Sequence, residues 1–293
     1  MLRYAIYYES RLGRNDGNPL YVWNEMKERQ KVGELEIDHL APHGDFQPFG
    51  KYDAHIWVDW GEDGLKGFLP YDPIYPPGRP LIYWASDTHL GYDYRLECAK
   101  KADVVFCAQR EGVERMKADG VPHAQWLPHA VEPRAYSPSN YAIKKYDIAF
   151  VGHINSENRI DALDRMFREF PNFFYGQRLF EEAAQVYSNS KIVFNIAMDR
   201  DVNMRVFAAL GTRSLLLTDD IPGIHDLFED GKHLVLYRSL DEAVEKARYY
   251  MEHEDERARI AQAGYEEVMK NHTFKHRVDT IIEETKKVLG VLK

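Results

Sequence analysis

A glycine, a histidine and an arginine follow an apolar segment near the middle of the chain, in an order that suits phosphate binding. Gly152 and His153 come directly after Ile148–Val151, and Arg159 stands a little further on. Glycine lets backbone approach a ligand closely, and a helix that begins near Ser156 would offer free N–H groups to an anion. Arg159 would add a two-point contact to a phosphate. A plain strand-to-helix turn with Ser156 as its cap explains the same residues.

A second polar set opens a short helical segment in the second half of the chain. Asn203, Met204 and Arg205 begin this segment, and Ala208 follows within it. We expect Asp201 or Asn203 to cap the helix, and Gly211 to terminate it. The helix dipole disfavours a cation in the first turn, so an anionic ligand beside Arg205 would explain its position. A nearby surface carboxylate would explain that position equally well.

Asp87 and His89 follow an apolar segment in the first half of the chain. An Asp-x-His at a strand end also opens the dinuclear metallophosphoesterases. Their further segments, Gly-Asp-x-x-Asp and Gly-Asn-His-Asp/Glu, do not occur downstream. Two ligands do not make a two-metal site, so we expect no metal here. Capping of the next helix is the simpler interpretation of both side chains.

Two further loops in the first half offer candidate residues. Gly13 and Gly17 would allow close approach of a ligand, and Asp16 between them is a candidate base. Trp60 and Glu62 combine an aromatic face, which would stack on a sugar or a base, with a carboxylate. A solvated loop is the simpler interpretation of this second set.

These residues follow short apolar segments that alternate with longer helical ones, as in a mostly parallel α/β sheet. Ligands of such sheets bind beyond the carboxyl ends of the strands. Strands are predicted at Leu2–Tyr8, Leu35–Leu40, Ala54–Trp60, Leu81–Ala85, Val104–Ala108, Gln125–Leu127, Asp147–Val151, Asn172–Tyr175, Ile192–Ile196, Ser214–Leu217 and Leu234–Tyr237. Helices are predicted at Leu20–Lys31, Tyr92–Ala102, Glu111–Asp119, Arg159–Phe170, Phe180–Ser188, Met204–Leu210, Leu240–His253, Glu256–Asn271 and Lys275–Leu289.

A proline-rich segment, Pro128–Asn140, interrupts this alternation. Together with the length of 293 residues it predicts two domains. We place them at residues 1–135 and 136–274, with 275–293 as a separate C-terminal helix.

Composition and charge narrow the function classes. The chain has 38 basic and 47 acidic residues, a net charge of −9, which argues against a nucleic-acid partner but leaves a local basic pocket open. Cys98 and Cys107 are too few for a disulfide framework. The sequence shows no signal-peptide pattern and no apolar run of the ~20 residues that span a bilayer, so we expect a cytoplasmic protein.

The second half of the chain resembles the CgeB-like glycosyl transferases group 1, a GT-B family. The resemblance is carried by Ser190–Asn195, Asn203–Phe207, Ala209–Gly211, Leu215–Asp219, Pro222–Gly223, Leu227–Phe228 and Gly231–His233, and more loosely by Ile82–His89 and Ala102–Phe106. It implies two Rossmann-like, doubly wound domains facing across a cleft, with the last helix crossing back to the N-terminal domain.

The family's chemistry implies roles for the candidate residues. The co-substrate would be a nucleotide-diphosphate sugar, UDP-sugar favoured, with no metal and no other cofactor. The donor site would comprise Gly152, His153, Arg159, Asn203, Met204, Arg205, Ala208, Thr218 and Asp219. His89 would face the transferred sugar, Asp87 would orient it and Asp16 would act as base. The acceptor side would comprise Gly13, Gly17, Trp60 and Glu62. Relatives retain the anomeric configuration, so retention is expected.

Ala208 departs from this family pattern, because a glutamate that holds the donor ribose is usual at its position. A charged hydrogen bond of this kind contributes ~1.5–3 kcal/mol, so donor affinity and activity would be weakened. Three hypotheses follow: a glycosyltransferase, a nucleotide- or sugar-binding protein without turnover, and a nucleotide-sugar isomerase of the same fold. Conversion of the nucleotide sugar without an acceptor would identify the isomerase.

Overall fold

Short segments rich in β-branched and aromatic residues form two parallel sheets, as the alternating pattern predicts. The computed structural model describes residues 1–7, 17–40, 49–59, 80–140, 143–154, 156–198 and 200–291. Contacts divide the chain into two units, one of Met1–Pro128 with Phe274–Lys293 and the other of His129–Thr273. Each unit contains one sheet, and every strand pairing between the described residues is parallel.

The first unit has a sheet of strand order β2-β1-β3-β4-β5-β6. Its strands are β1 (Leu2–Tyr7), β2 (Leu35–Leu40), β3 (Ala54–Val58), β4 (Leu81–Ala85), β5 (Val104–Cys107) and β6 (Ala124–Trp126). Its helices are α1 (Asn18–Lys31), α2 (Tyr92–Lys100), α3 (Arg110–Ala118) and α10 (Phe274–Val288), with a short 3-10 turn at Phe49–Lys51. All residues of β3, β4 and β5 are buried, as expected for parallel strands covered on both faces.

Helix α10 packs within the first unit, although it lies at the other end of the chain. The ring centroids of Tyr21 and Phe274 are 4.9 Å apart, and a guanidinium nitrogen of Arg29 lies 2.6 Å from a carboxylate oxygen of Asp279. The Nε of Arg277 donates a hydrogen bond of 2.8 Å to the carbonyl of Pro128. These contacts bury the apolar face of the amphipathic C-terminal helix.

The second unit has a sheet of strand order β11-β10-β9-β7-β8. Its strands are β7 (Tyr146–Val151), β8 (Phe173–Gly176), β9 (Ser190–Phe194), β10 (Leu215–Asp219) and β11 (Val235–Tyr237). Its helices are α4 (Glu157–Glu169), α5 (Phe180–Ser188), α6 (Met204–Gly211), α7 (Ile224–Leu227), α8 (Leu240–Glu252) and α9 (Glu254–Asn271).

The unit boundary lies at Pro128, earlier than the boundary after residue 135 that the sequence suggested. The reason is that Val131 belongs to the core of the second unit. Its side chain is buried, and its N–H donates a hydrogen bond of 2.9 Å to the carbonyl of His272. A Cβ at Gly211 would lie only 2.6 Å from the Val131 side chain. Gly211 is the last residue of α6, whereas the sequence predicted that it would follow the helix. Because it has no Cβ, it allows Val131 to pack closely against α6.

In the part of the chain that the structure describes, no helix combines the length and apolarity that crossing a membrane would require. Cys98 and Cys107 are buried, and they form no disulfide among the described residues.

Candidate functional site

Arg159 lies on the helix that follows β7, close to the carboxyl ends of β7 and β9. Helix α4 begins directly after Ser156, which occupies the N-cap position but makes no side-chain capping bond. Arg159, only 5% exposed, lies in the first turn of α4. Its two terminal nitrogens donate to the carbonyls of His153, at 2.9 Å, and Ile196, at 3.0 Å. Arg159 therefore joins the segments that follow β7 and β9.

Helix α6 places a second arginine at the same strand ends. Asn203 caps the helix, because its side-chain oxygen accepts a hydrogen bond of 3.1 Å from the backbone N–H of Arg205. The Nε of Arg205 donates to the carbonyl of Val151 at 2.7 Å, and its Nη1 donates to the side-chain oxygen of Asn195. A Cβ built at Gly152 would collide with Nη2 of Arg205. Glycine is thus needed here so that the guanidinium can approach the backbone.

The ring of Phe150 lies against both guanidinium groups. The Cζ atoms of Arg159 and Arg205 are 5.6 Å and 4.2 Å from its centroid. Burial and, to a smaller extent, the charge of Arg205 lower the pKa of Arg159 to about 10. Burial also lowers the pKa of Arg205. Among the described residues neither arginine forms an ion pair with a carboxylate. The two positive charges would therefore stabilise a bound anion.

A buried polar network orients Arg205 from behind. The side-chain nitrogen of Asn195 donates to the Thr218 hydroxyl at 2.8 Å, which leaves its oxygen facing Arg205 and Asn203. The Thr218 hydroxyl donates to Asp219 at 3.1 Å, and both carboxylate oxygens of Asp219 accept from the N–H of Ala197. Burial raises the pKa of Asp219, although these hydrogen bonds oppose the shift. The network fixes the segment that follows β9.

Thr218 and Asp219 lie within β10 rather than in the loop after it. Their backbone pairs with Leu236 and Tyr237 of β11, which extends the strand beyond its apolar residues. The expectation that the strand ends at Leu217 was wrong, because polar side chains at its end are satisfied by the network described above.

The remaining donor candidates differ in exposure. The side chain of His153 is exposed, and only its carbonyl contacts Arg159. Met204 is half-buried at the start of α6, and Ala208 is buried one turn after Arg205. Sequence reasoning missed Asn195 and Phe150 as site residues. An asparagine inside the apolar segment Ile192–Ile196 was a signal for the first, whereas the second was indistinguishable from other core residues.

The first unit positions Asp87 and His89 after β4. Asp87 adopts a left-handed backbone with φ 51°, and its carbonyl accepts a hydrogen bond of 2.8 Å from the N–H of Leu90. Both ring nitrogens of His89 are buried and have no hydrogen-bond partner among the described residues. A tight turn thus holds both side chains at the carboxyl edge of the first sheet.

A buried ion pair lies in the same unit, and sequence reasoning missed it. Asp59 follows β3, and one of its carboxylate oxygens lies 2.5 Å from Nε of the fully buried Arg95. The Tyr83 hydroxyl donates to the same carboxylate oxygen at 3.2 Å. Burial, with a smaller contribution from the charge of Asp87, raises the pKa of Asp59 to about 6 against the opposing charge of Arg95.

The loop candidates Gly13, Asp16, Trp60 and Glu62 lie outside the described residues. Gly17 stands at the N-cap position of α1 with φ 101°, a left-handed conformation that favours glycine. Its backbone therefore sets the start of the helix.

Comparisons with known proteins agree with this architecture. Residues 144–283 match the family model described as glycosyl transferase-like. No match was found among curated proteins.

Solved structures with the same fold share little sequence with this chain. HepE from Anabaena, solved with UDP and glucose, has a TM-score of 0.68 at 12% identity, over 98% of this chain and 100% of that chain. Sucrose-phosphate synthase from Thermosynechococcus elongatus has a TM-score of 0.68 at 11% identity, over 99% and 100%. An S. aureus TarM variant, solved with fondaparinux, alpha-GlcNAc-glycerol and UDP, has a TM-score of 0.60 at 13% identity, over 80% and 56%. Residues 144–283 therefore form a glycosyl transferase-like domain, in a chain with the two Rossmann-like parallel sheets of the GT-B glycosyltransferases.

Proposed function

We propose that this protein transfers a sugar from a nucleotide-diphosphate sugar, a UDP-sugar by preference, to an acceptor hydroxyl. The observation that carries the proposal is the pair Arg159 and Arg205. Arg159 is buried and Arg205 half-buried at the carboxyl ends of the strands of a glycosyl transferase-like domain, and both are held by carbonyl oxygens rather than carboxylates. The UDP found with HepE and TarM supports the choice of base.

The two arginines would stabilise the leaving nucleoside diphosphate. Negative charge grows on the diphosphate as the glycosidic bond breaks, and cations fixed beforehand stabilise that charge without reorganising. The carbonyls of Val151, His153 and Ile196 supply this fixation here. The partial positive charge at the N-terminus of α4 would add to it. Because side chains carry the positive charge, we expect transfer without a metal ion.

The first unit would supply the groups that face the sugar and the acceptor. We assign His89 to the transferred sugar. Its buried ring nitrogens have no hydrogen-bond partner among the described residues, so they could bond a sugar hydroxyl. Asp87 would orient the sugar, and Asp16 is the candidate base. Gly13, Gly17, Trp60 and Glu62 remain the proposed acceptor-side residues. Retention of the anomeric configuration is the expected outcome of transfer.

Ala208 favours a second candidate function, a nucleotide-sugar-binding protein with weak turnover or none. A methyl group here cannot accept a hydrogen bond from the ribose hydroxyls. A lost charged hydrogen bond of ~1.5–3 kcal/mol lowers affinity by about 10- to 150-fold. Binding would then persist through Arg159 and Arg205, while bound donor would be held less firmly for transfer.

Calorimetric titration with UDP, GDP, ADP and TDP, with and without EDTA, tests both candidates. We expect selective, EDTA-insensitive binding of UDP. Arg205→Gln removes the charge and should weaken binding by about 10- to 150-fold, as expected for hydrogen bonds to a charged group. The matched control is Arg168→Gln, which removes an exposed guanidinium from α4 and should leave binding unchanged.

Turnover then separates the two functions. Release of UDP from a UDP-sugar, faster with an acceptor than without, supports the transferase. Binding of UDP with no release of product from any UDP-sugar supports the binding protein. If no nucleotide binds, or if Arg205→Gln binds as well as the original protein, the donor site assigned here is wrong.

A further inference from the structure

A basic pocket lies at the edge of the second sheet opposite to Arg159 and Arg205. It has a volume of about 560 Å³ and is lined where strands begin: Lys191 and Leu215 lie at the amino ends of β9 and β10. Lys144, which precedes β7, and the first turns of α9 complete the wall. A ligand there could not be the donor diphosphate held at the carboxyl ends. The volume is in the range of small-molecule sites, roughly 300–1,000 Å³.

The pocket concentrates positive charge in an acidic protein. Lys144, Lys191, Arg213 and Arg257 line it, and Glu254 is its single acidic lining residue among those described. The whole chain, by contrast, has a net charge of −9. A cluster of four cations around a concave surface attracts anions and raises their local concentration.

Two of these cations are already paired. The Nζ of Lys191 lies 2.6 Å from a carboxylate oxygen of Asp147. A terminal nitrogen of Arg257 lies 3.6 Å from Glu254, and the other donates to the carbonyl of Tyr250. Lys144 and Arg213 therefore carry the excess charge of the pocket.

Lys144 is held by backbone oxygens rather than by a carboxylate. Its Nζ donates hydrogen bonds of 2.9 Å to the carbonyls of Ser188 and Ser190. Partial desolvation, together with the charges of Arg257 and Arg213, lowers the pKa of Lys144 to about 8 against the opposing charge of Glu254. The three cations thus repel one another, and a bound anion would relieve that repulsion.

Arg213 occupies a position where an arginine side chain has a conformational cost. It follows the C-cap residue Thr212 of α6 and has φ 55°, a conformation usually taken by glycine at this place. Its N–H donates to the carbonyl of Leu210 at 3.0 Å, as a glycine would. The guanidinium makes no hydrogen bond or ion pair with any other described residue, so its position at the pocket wall is open to a ligand.

We propose that this pocket binds a phosphate group, with Arg213 and Lys144 as its principal cations. A phosphate presents several oxygens to the fork of a guanidinium and to an ammonium group. The pocket has room for phosphate alone or for a phosphate monoester of a small molecule such as a sugar. This inference does not depend on the proposed function, because it involves other residues at the opposite edge of the sheet.

The test measures the unfolding temperature of the full chain with inorganic phosphate and with glucose 6-phosphate. Each ligand is compared with sodium chloride at the same ionic strength and with glucose. We expect phosphate to raise the unfolding temperature of the original protein beyond the salt control. Arg213→Gly should raise the unfolding temperature without phosphate, because it relieves the left-handed backbone. It should also weaken phosphate binding at least tenfold.

Three further variants separate the effect of the Arg213 charge from that of its backbone conformation and from the donor site. Arg213→Gln keeps the strained backbone but removes the charge, and should lose phosphate binding without a gain in stability. Arg168→Ala removes an exposed arginine elsewhere in the unit and should keep phosphate binding. Arg205→Gln should also keep it, which distinguishes the pocket from the donor site.

Tighter binding of glucose 6-phosphate than of phosphate would identify an organic monoester as the ligand class. Equal affinities would identify phosphate itself. The proposal is overturned if phosphate gives no shift beyond the salt control. It is equally overturned if both Arg213 variants respond to phosphate as the original protein does.

Discussion

The guanidinium of Arg205 lies over the ring of Phe150, with Cζ 4.2 Å from the ring centroid, while its Nε donates to the carbonyl of Val151. A helix that begins at Met204 is thereby tied to the end of a strand more than fifty residues earlier in the chain. The contact fixes where a positive charge stands before any ligand arrives. The proposed donor site depends on this preorganisation.

Phe150→Leu tests the contribution of the ring. Leucine keeps an apolar side chain but removes the π face, and cation–π contacts contribute about 0.5–1 kcal/mol at partly hydrated sites. We expect UDP affinity, measured by calorimetry, to fall about two- to fivefold. Phe106→Leu, at a phenylalanine buried equally deeply in the first sheet, should reduce stability similarly but leave UDP affinity unchanged. Equal loss of affinity in both variants would assign the effect to general destabilisation.

Gly152→Ala tests the close approach of Arg205 to the backbone. The new Cβ would collide with Nη2 and displace the guanidinium from its carbonyl partner. We expect UDP affinity to fall at least about tenfold, the loss typical of a hydrogen bond to a charged group. At the end of the neighbouring strand, a Cβ on Gly176 would meet only side-chain atoms at 3.7 Å or more. Gly176→Ala should therefore bind UDP normally, and a similar loss in both variants would contradict this explanation.

Ala208→Glu tests whether a missing carboxylate limits donor binding. A glutamate at this point of α6 would accept hydrogen bonds from ribose hydroxyls, and we expect UDP affinity to rise by about 10- to 150-fold. Ala208→Gln, which has the same size without the charge, should give a smaller gain. Circular dichroism checks that the helix tolerates the longer side chain at this buried position. Unchanged or lower affinity in a folded glutamate variant would remove Ala208 from the donor site.

Asp59→Asn tests the buried ion pair of the first unit through pH. The folded-state pKa of Asp59 is about 6, above its ordinary value of 3.8, so the folded protein binds more protons than the unfolded chain between these values. The contribution of Asp59 to stability therefore increases as pH falls through 6. Between about pH 7 and about pH 4 the increase is on the order of 2 kcal/mol.

Urea unfolding at several pH values measures this effect as a difference between the original protein and Asp59→Asn. The loss of a partner for Arg95 adds a cost that does not vary over this pH range. The original protein should therefore gain stability relative to the variant as the pH falls. A difference that stays constant with pH would show that the carboxylate does not titrate in this window.

Much of the architecture could be predicted from the sequence, because it depends on local patterns. Apolar segments of strand length gave Leu35–Leu40 and Leu81–Ala85 with their observed bounds, and helical periodicity did the same for Phe180–Ser188. A glycine after a strand, followed by an arginine in the next helix, identified Gly152 and Arg159 as site candidates. Arg205 was a site candidate because the helix dipole disfavours a cation in the first turn unless an anion lies nearby.

The sequence by itself determined which segments become strands and helices, since local propensity and burial patterns are written in neighbouring residues. Only the tertiary structure decided that Arg159 and Arg205 share the ring of Phe150, that Asn195 orients one of them, and that Arg213 and Lys144 meet at the opposite edge of the sheet. It likewise moved the unit boundary to Pro128 and paired Asp59 with Arg95. These relationships join residues distant in the chain, and they depend on strand order and side-chain packing, which no local pattern encodes.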